Sequence, residues 1–298
     1  MHWTRPARVA ATALLGLGLL APGRPGPTAP AAYVEAYPTV AAQLRAGGPP
    51  YDRWAADGRR FLVFDPRGDG LAVEVLGDLA TADRIAVLVP GVGSTLRDFD
   101  RGLGGVARRA PARQARDLYR ELRADDPPAR VAVLAWLGYD APDGILTAAG
   151  TASADRGAAA LLGTLRTLAA RRPDAAITLI GHSYGSLVVG RAARRAPAQV
   201  TGLVTLGGIG TGVDRAGRLG GVRVWAAEAP TDWIRRVPQV RLPGLGHGIR
   251  PGDPAFGARP LPVDGVAGHD GYLMPGTATL PAVAAVVLGG EVRAGVAR

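Results

Sequence analysis

The 298-residue chain predicts an α/β fold, a mostly parallel, doubly wound sheet preceded by an antiparallel N-terminal hairpin. Three observations point there. From residue 85 onward, apolar runs of strand length alternate with longer Ala/Leu/Arg segments of helical period, as strands covered on both faces by helices require. Ahead of them, two strand-like runs at 61–64 and 72–76 are joined by the turn formers Asp65-Pro66-Arg67-Gly68-Asp69-Gly70. One apolar run also passes straight into Gly181-His182-Ser183-Tyr184-Gly185 and then into a helix of small residues.

In chain order, Arg5 and Arg8 precede an apolar stretch at 9–20 and a Pro/Gly/Ala-rich segment at 21–32, with Ala29-Pro30-Ala31 as a small-residue cleavage site. That layout predicts a signal peptide or N-terminal anchor over 1–31, hence a secreted or envelope-associated protein whose N-terminus offers a membrane contact. About a dozen apolar residues fall short of the roughly 20 of an ordinary membrane span. Residues 32–60 read as one or two short lead-in helices broken at Gly47-Gly48-Pro49-Pro50, and 61–298 as the α/β domain. After the hairpin, strands are expected at 85–89, 131–136, 177–180, 200–206 and 222–227, with helices near 114–123, 155–171 and 186–196. The best final strand is 256–264. Right-handed crossovers would place the strand-to-helix loops at the carboxyl edge of the sheet, where open α/β folds bind ligands.

The net charge of +10 invites a nucleic-acid reading. The distribution argues against it: every basic residue in the Lys+Arg count is Arg, scattered along the chain in short pairs without a zinc pattern or a continuous basic stripe. No cysteine is present, which removes disulfides, thiolate metal sites and a cysteine nucleophile.

The G-x-S-x-G run carries the chemistry. With 43 Gly and four Ser in the chain, chance supplies roughly 0.1 such match, and the strand before and helix after it lower that further. The motif presents a serine hydroxyl on a strained bend, with flanking glycines because side chains there would strike strand and helix. Ser183 is therefore the candidate nucleophile, and it needs a histidine base oriented by a carboxylate. Of the four histidines, His2 lies in the leader and His182 is too close along the bend. His269, in Gly268-His269-Asp270-Gly271-Tyr272 after the last expected strand, is preferred over His247, which would stabilise a loop or face substrate. For the acid, Asp232 follows the strand at 222–227 and gives the order Ser, Asp, His; Glu228, Asp214 and Asp253 compete. The oxyanion donors expected are the amides of Tyr184 and, in Pro90-Gly91-Val92-Gly93, of Val92, with Gly93 next. Trp136 and Tyr139, in a loop at the carboxyl edge, are expected to shape an acyl pocket.

Several of these runs together resemble a known family. They are Val87 to Thr95 (VLVPGVGST), Trp136 to Pro142 (WLGYDAP), the GHSYGS elbow, and Phe256-Gly257-Ala258-Arg259 followed by Gly268-His269. They are similar to an actinobacterial alpha/beta-hydrolase family first catalogued as a domain of unknown function, over roughly residues 60–273. The resemblance implies the alpha/beta-hydrolase fold and a serine hydrolase, and carries Ser183 and His269 by motif; Asp232 matches less distinctively. The expected chemistry is cleavage of an ester-like acyl bond in a small-molecule or lipid-like substrate, with no metal, cofactor or nucleic acid. A peptidase or amidase with the same triad and a non-catalytic binding protein are the alternatives.

Overall fold

The computed structural model describes residues 33–242 and 244–292, so the leader expected at 1–31 lies outside the described residues. Two lead-in helices open it, α1 (Tyr37–Ala46) and α2 (Tyr51–Ala56). Their Val40, Leu44 and Trp54 are buried in one of the sheet's own cores, so this segment packs as part of the same body. The hairpin follows as β1 (Arg60–Asp65) and β2 (Leu71–Gly77), paired antiparallel.

The alternating section runs β3 (Arg84–Val89), α3 (Pro111–Asp125), β4 (Val131–Leu137), α4 (Ile145–Ala148), α5 (Ala152–Arg171), β5 (Ala176–His182), α6 (Gly185–Ala193), β6 (Val200–Leu206) and β7 (Arg223–Ala227). A two-stranded ribbon, β8 (Arg241–Leu242) with β9 (Leu245–Gly246), precedes β10 (Arg259–Pro260) and α7 (Thr279–Leu288). The main sheet has eight strands in the order β1-β2-β4-β3-β5-β6-β7-β10. β2 joins β4 antiparallel, and every pairing from β4 to β10 is parallel. This is the mixed, mostly parallel sheet of the alpha/beta-hydrolase fold.

Strand alternation sorts the core into two halves. Ile85, Val87 and Val89 of β3 pack on one face with Leu161 and Leu165 of α5 and Leu187 of α6. Ala86 and Leu88 pack on the other with Leu118 of α3 and Val283 of α7. All seven residues of β4 are buried, which is why that strand reads as an unbroken apolar run.

One expected element differs. The span 256–264 contains a strand of only Arg259–Pro260, and Pro254–Phe256 is a 3-10 turn instead. Pro260 and Pro262 lack the amides a longer ladder needs, so the strand survives only as a two-residue edge beside β7.

Candidate active site

The carboxyl ends of β3 and β6 flank that of β5, which runs into Ser183. Ser183 is the only non-glycine with positive φ (54°) among the described residues, and it is nearly buried. The bend is forced by close approach. A Cβ on Gly181 would lie 2.7 Å from the Ser186 backbone, and one on Gly185 would lie 2.3 Å from the Val89 carbonyl oxygen. Side chains at either position would push α6 off β5 or β3. The strain at Ser183 is held by its amide, which donates to the Leu206 carbonyl at 3.0 Å, and by Ser186 Oγ, which donates to the Ser183 carbonyl at 2.6 Å.

Opposite the bend, His269 Nδ1 donates to both oxygens of Asp232 at 2.9 Å. Asp232 is itself buried and accepts from the Ile234 amide at 2.8 Å and from Tyr272 Oη at 2.6 Å. Burial pushes the Asp232 carboxyl up, but the hydrogen bonds from His269 and Tyr272 outweigh it and hold the group below the ordinary carboxylate value. An ionised Asp232 fixes the proton of a neutral His269 on Nδ1, leaving Nε2 as an acceptor. That Nε2 is buried and has no hydrogen-bond partner among the described residues. No hydrogen bond joins it to Ser183 Oγ.

Two residues tie the halves together. Gly207, next in chain to Leu206, turns with φ 54°, and a Cβ there would lie 2.6 Å from Asp232 Oδ2 and 3.0 Å from His269 Nδ1. His182 lies beside His269, ring centroids 4.8 Å apart, and its Nε2–H donates to the His269 carbonyl at 2.8 Å. Burial and the neighbouring His269 push His182 down to about 4, so it is neutral near pH 7 and suited to that donor role. Arg109 adds a salt bridge of 2.7 Å to Asp270, pinning the same loop from the β3 side.

The competing acids are engaged elsewhere. Glu228 pairs with Arg250 at 3.1 Å and Arg235 at 3.5 Å, while Asp253 caps the 3-10 turn through the Ala255 amide. The His269 ring bonds neither of them, nor Asp214. His247 packs edge-on to the Tyr184 ring at 5.9 Å, its amide donating to Val240, and burial pushes its pKa down.

On the β3 side, a Cβ on Gly91 would sit 2.7 Å from Ser183 Cβ, so the loop passes directly over Ser183. The Gly93 amide donates to the Pro142 carbonyl at 2.8 Å and is thereby taken, whereas no carbonyl among the described residues takes up the amides of Val92 or Tyr184. The Tyr184 side chain is anchored separately, its hydroxyl donating to Gly150 and accepting from the Ala154 amide.

Trp136 and Tyr139 require a correction. Both are buried and stacked on each other at 6.1 Å; Trp136 Nε1 donates to Thr164 and Tyr139 Oη donates to the Pro90 carbonyl at 2.8 Å. They belong to the core that braces the Pro90–Gly93 loop. The exposed aromatic beside the site is Trp233, 40% exposed, with its ring centroid 4.7 Å from that of His269. Sequence reasoning gave no role to Tyr272, Gly207, Gly91 or Trp233. Tyr272 and Trp233 had a visible signal in adjacency to His269 and Asp232; the two glycines had none, since their neighbours are distant in the chain. Among the described residues no group of His, Asp and Glu is arranged to hold a metal ion.

Comparison with known proteins bears on the same span. An uncharacterized Mycobacterium tuberculosis protein is 36% identical over 172 residues, covering 56% of this chain and 63% of the relative. A second from that organism is 32% identical over 189 residues, covering 60% of this chain and 28% of the relative. The chain thus spans less than two thirds of the length of either. Among solved structures, the esterase PE8 superposes with a TM-score of 0.48 at 17% identity, covering 74% of this chain and 98% of that one. XC6422 from Xanthomonas campestris, described as a serine hydrolase without lid, gives 0.40 at 15%, covering 78% and 93%. Residues 65–242, more than half of the chain, match the model of a family described as alpha/beta hydrolase, and the chain belongs to that family.

Proposed function

We propose that this protein hydrolyses an ester-like acyl bond through an acyl-enzyme on Ser183. The observation that carries the reading is a strained serine at the same sheet edge as an imidazole whose Nδ1 is locked by Asp232 and whose Nε2 has no hydrogen-bond partner among the described residues. In the first step Ser183 Oγ bonds to the acyl carbon while its proton passes to His269 Nε2. Asp232 stabilises the imidazolium so formed, and the amides of Val92 and Tyr184 receive the oxyanion. Collapse expels the leaving alcohol, which takes the proton from Nε2; water then gives a proton to the same nitrogen as its oxygen bonds to the acyl carbon, and the acyl–Oγ bond breaks with the proton returning from Nε2 to Ser183 Oγ, releasing the acid. Support for the oxyanion pair comes from the Gly91 contact with Ser183 and from the absence of a carbonyl partner for either amide among the described residues.

The test is labelling by a fluorophosphonate probe, followed by turnover of nitrophenyl esters and nitroanilides. Wild type should label and cleave esters, and Ser183→Ala and His269→Ala should do neither. Asp232→Asn should lower kcat by about 10³ to 10⁴ with little change in KM, because it removes the group that fixes the tautomer. Preferential cleavage of anilides would replace the ester reading by an amidase one. Failure of folded wild type to label would replace it by a binding protein.

A further inference from the structure

The exposed large apolar side chains among the described residues share one kind of segment. Among the described residues they are Leu103, Leu146, Trp233, Val240, Leu242, Leu245 and Met274. Single exposed apolar residues scattered over a surface are ordinary. These seven instead all lie on segments that leave the carboxyl ends of strands, the edge that carries Ser183. Leu103 follows β3, Leu146 follows β4, the next four lie on the excursion after β7, and Met274 follows β10.

The segments are also joined to one another. Leu103 sits against Gly93, where a Cβ would meet it at 3.2 Å, and the Gly93 amide bonds Pro142 at the start of the segment bearing Leu146. Beyond α4, Gly150 forms a bridge to Leu245, and the Ala149 carbonyl accepts from the Gly246 amide. Trp233 rests on His269. Leu146 is 92% exposed, so nothing among the described residues covers it.

Charge selects the occupant. The excursion from Trp233 to Arg250 carries Arg235, Arg236, Arg241 and Arg250 and no acidic residue. Glu228, just ahead of it, pairs with Arg250 and Arg235 and offsets part of that charge. The stretch keeps an excess of positive charge, with an aromatic and three exposed aliphatic side chains interleaved. Arginine beside Trp and Leu is the composition of a segment that settles at an anionic lipid interface, rings and aliphatic chains at the acyl boundary and guanidinium groups among headgroups. We propose that the Ser183 face docks on an anionic lipid surface, and that the acyl groups delivered to Ser183 are those of lipids held in it. The second half of this statement rests on the ester-hydrolase reading; the docking itself does not.

The experiment separates the two. Ser183→Ala protein is sedimented with vesicles of phosphatidylcholine alone and of phosphatidylcholine mixed with phosphatidylglycerol, beside a variant that also carries Leu146→Ser, Leu242→Ser and Leu245→Ser. The parent should sediment with the mixed vesicles, more weakly with the neutral ones and less as salt rises, and the triple substitution should weaken the association at least about tenfold. Equal sedimentation of the two proteins, equal binding to both vesicle types, or a concentration-dependent dimer abolished by the same substitutions would overturn docking. In the Ser183 background, fluorophosphonate labelling and soluble short-chain ester turnover should survive the triple substitution, while hydrolysis of phosphatidylglycerol-containing vesicles should fall about tenfold. Docking with no release of fatty acid from those vesicles would overturn the substrate assignment alone, and loss of labelling in wild type would fail the hydrolase reading without touching the vesicle result.

Discussion

At the scale of single residues the site is held by groups whose polar atoms serve two partners at once. Tyr272 Oη donates to Asp232 and accepts from the Ala229 amide at 3.0 Å, so it aligns Asp232 against the end of β7. Tyr272→Phe leaves that buried amide unpaired. It should cost about 1 to 3 kcal/mol of stability in denaturant melts and lower kcat about tenfold, with KM little changed. Gly207→Ala is harsher, since a methyl group would have to occupy space 2.6 Å from Asp232 Oδ2 at a residue with φ 54°. Probe labelling should fall more than about 100-fold, because displacement of the acid–base pair by even an ångström misdirects Nε2. Of these residues, Ser183 and His269 were legible in the sequence because a motif or a short histidine count singles them out. Gly207 was not: its constraint is a contact with residues 25 and 62 positions away, Asp232 and His269, and the chain around it carries no mark of that contact.

At the scale of elements, α6 shows why the elbow is followed by small residues. All of its nine residues except Arg191 are buried, between β5, β6 and α5. A Cβ at Gly190 would fall 2.5 Å from both Cβ and the carbonyl oxygen of Thr211, in the loop after β6. Gly190→Ala should therefore destabilise by about 1 to 3 kcal/mol as overpacking, although alanine is the better helix former. Gly217→Ala, where a Cβ would meet nothing within 4 Å, should stay within about 0.5 kcal/mol in the same thermal melt. Strand lengths tell the complementary story. The apolar runs that became β3 to β7 were readable because a buried parallel strand must be apolar throughout. The run at 256–264 misled because its apolar content is shared with two prolines, and backbone donors, not hydropathy, decide how far a ladder extends.

For the whole molecule, buried histidines set the acid limit of stability. The unfolded chain protonates His182 near 6.5, whereas the folded protein resists until about 4. Between those values the unfolded state binds more protons, so stability falls as pH falls. The full loss from His182 is on the order of 3 kcal/mol. His247 shifts in the same direction, and Asp232, held low in the fold, adds a further loss at still lower pH. Melting temperature should hold above about pH 6.5 and drop by several degrees between there and pH 4. His182→Gln, which retains a donor without titrating, should flatten that interval; an unchanged slope would place the proton uptake elsewhere.

The sequence by itself determined the class of the fold, the central strands and the elbow that bends at Ser183, because each depends on local periodicity or on contacts within a few residues. It also narrowed the base and the acid to short candidate sets. Only the tertiary structure paired Asp232 with His269, placed His182 and Tyr272 behind them, and turned Trp136 and Tyr139 from pocket wall into core. The reason is physical: which carboxylate meets which imidazole, and which aromatic is covered, is set by how loops from different strands converge at one sheet edge, and no pattern along the chain encodes that distance.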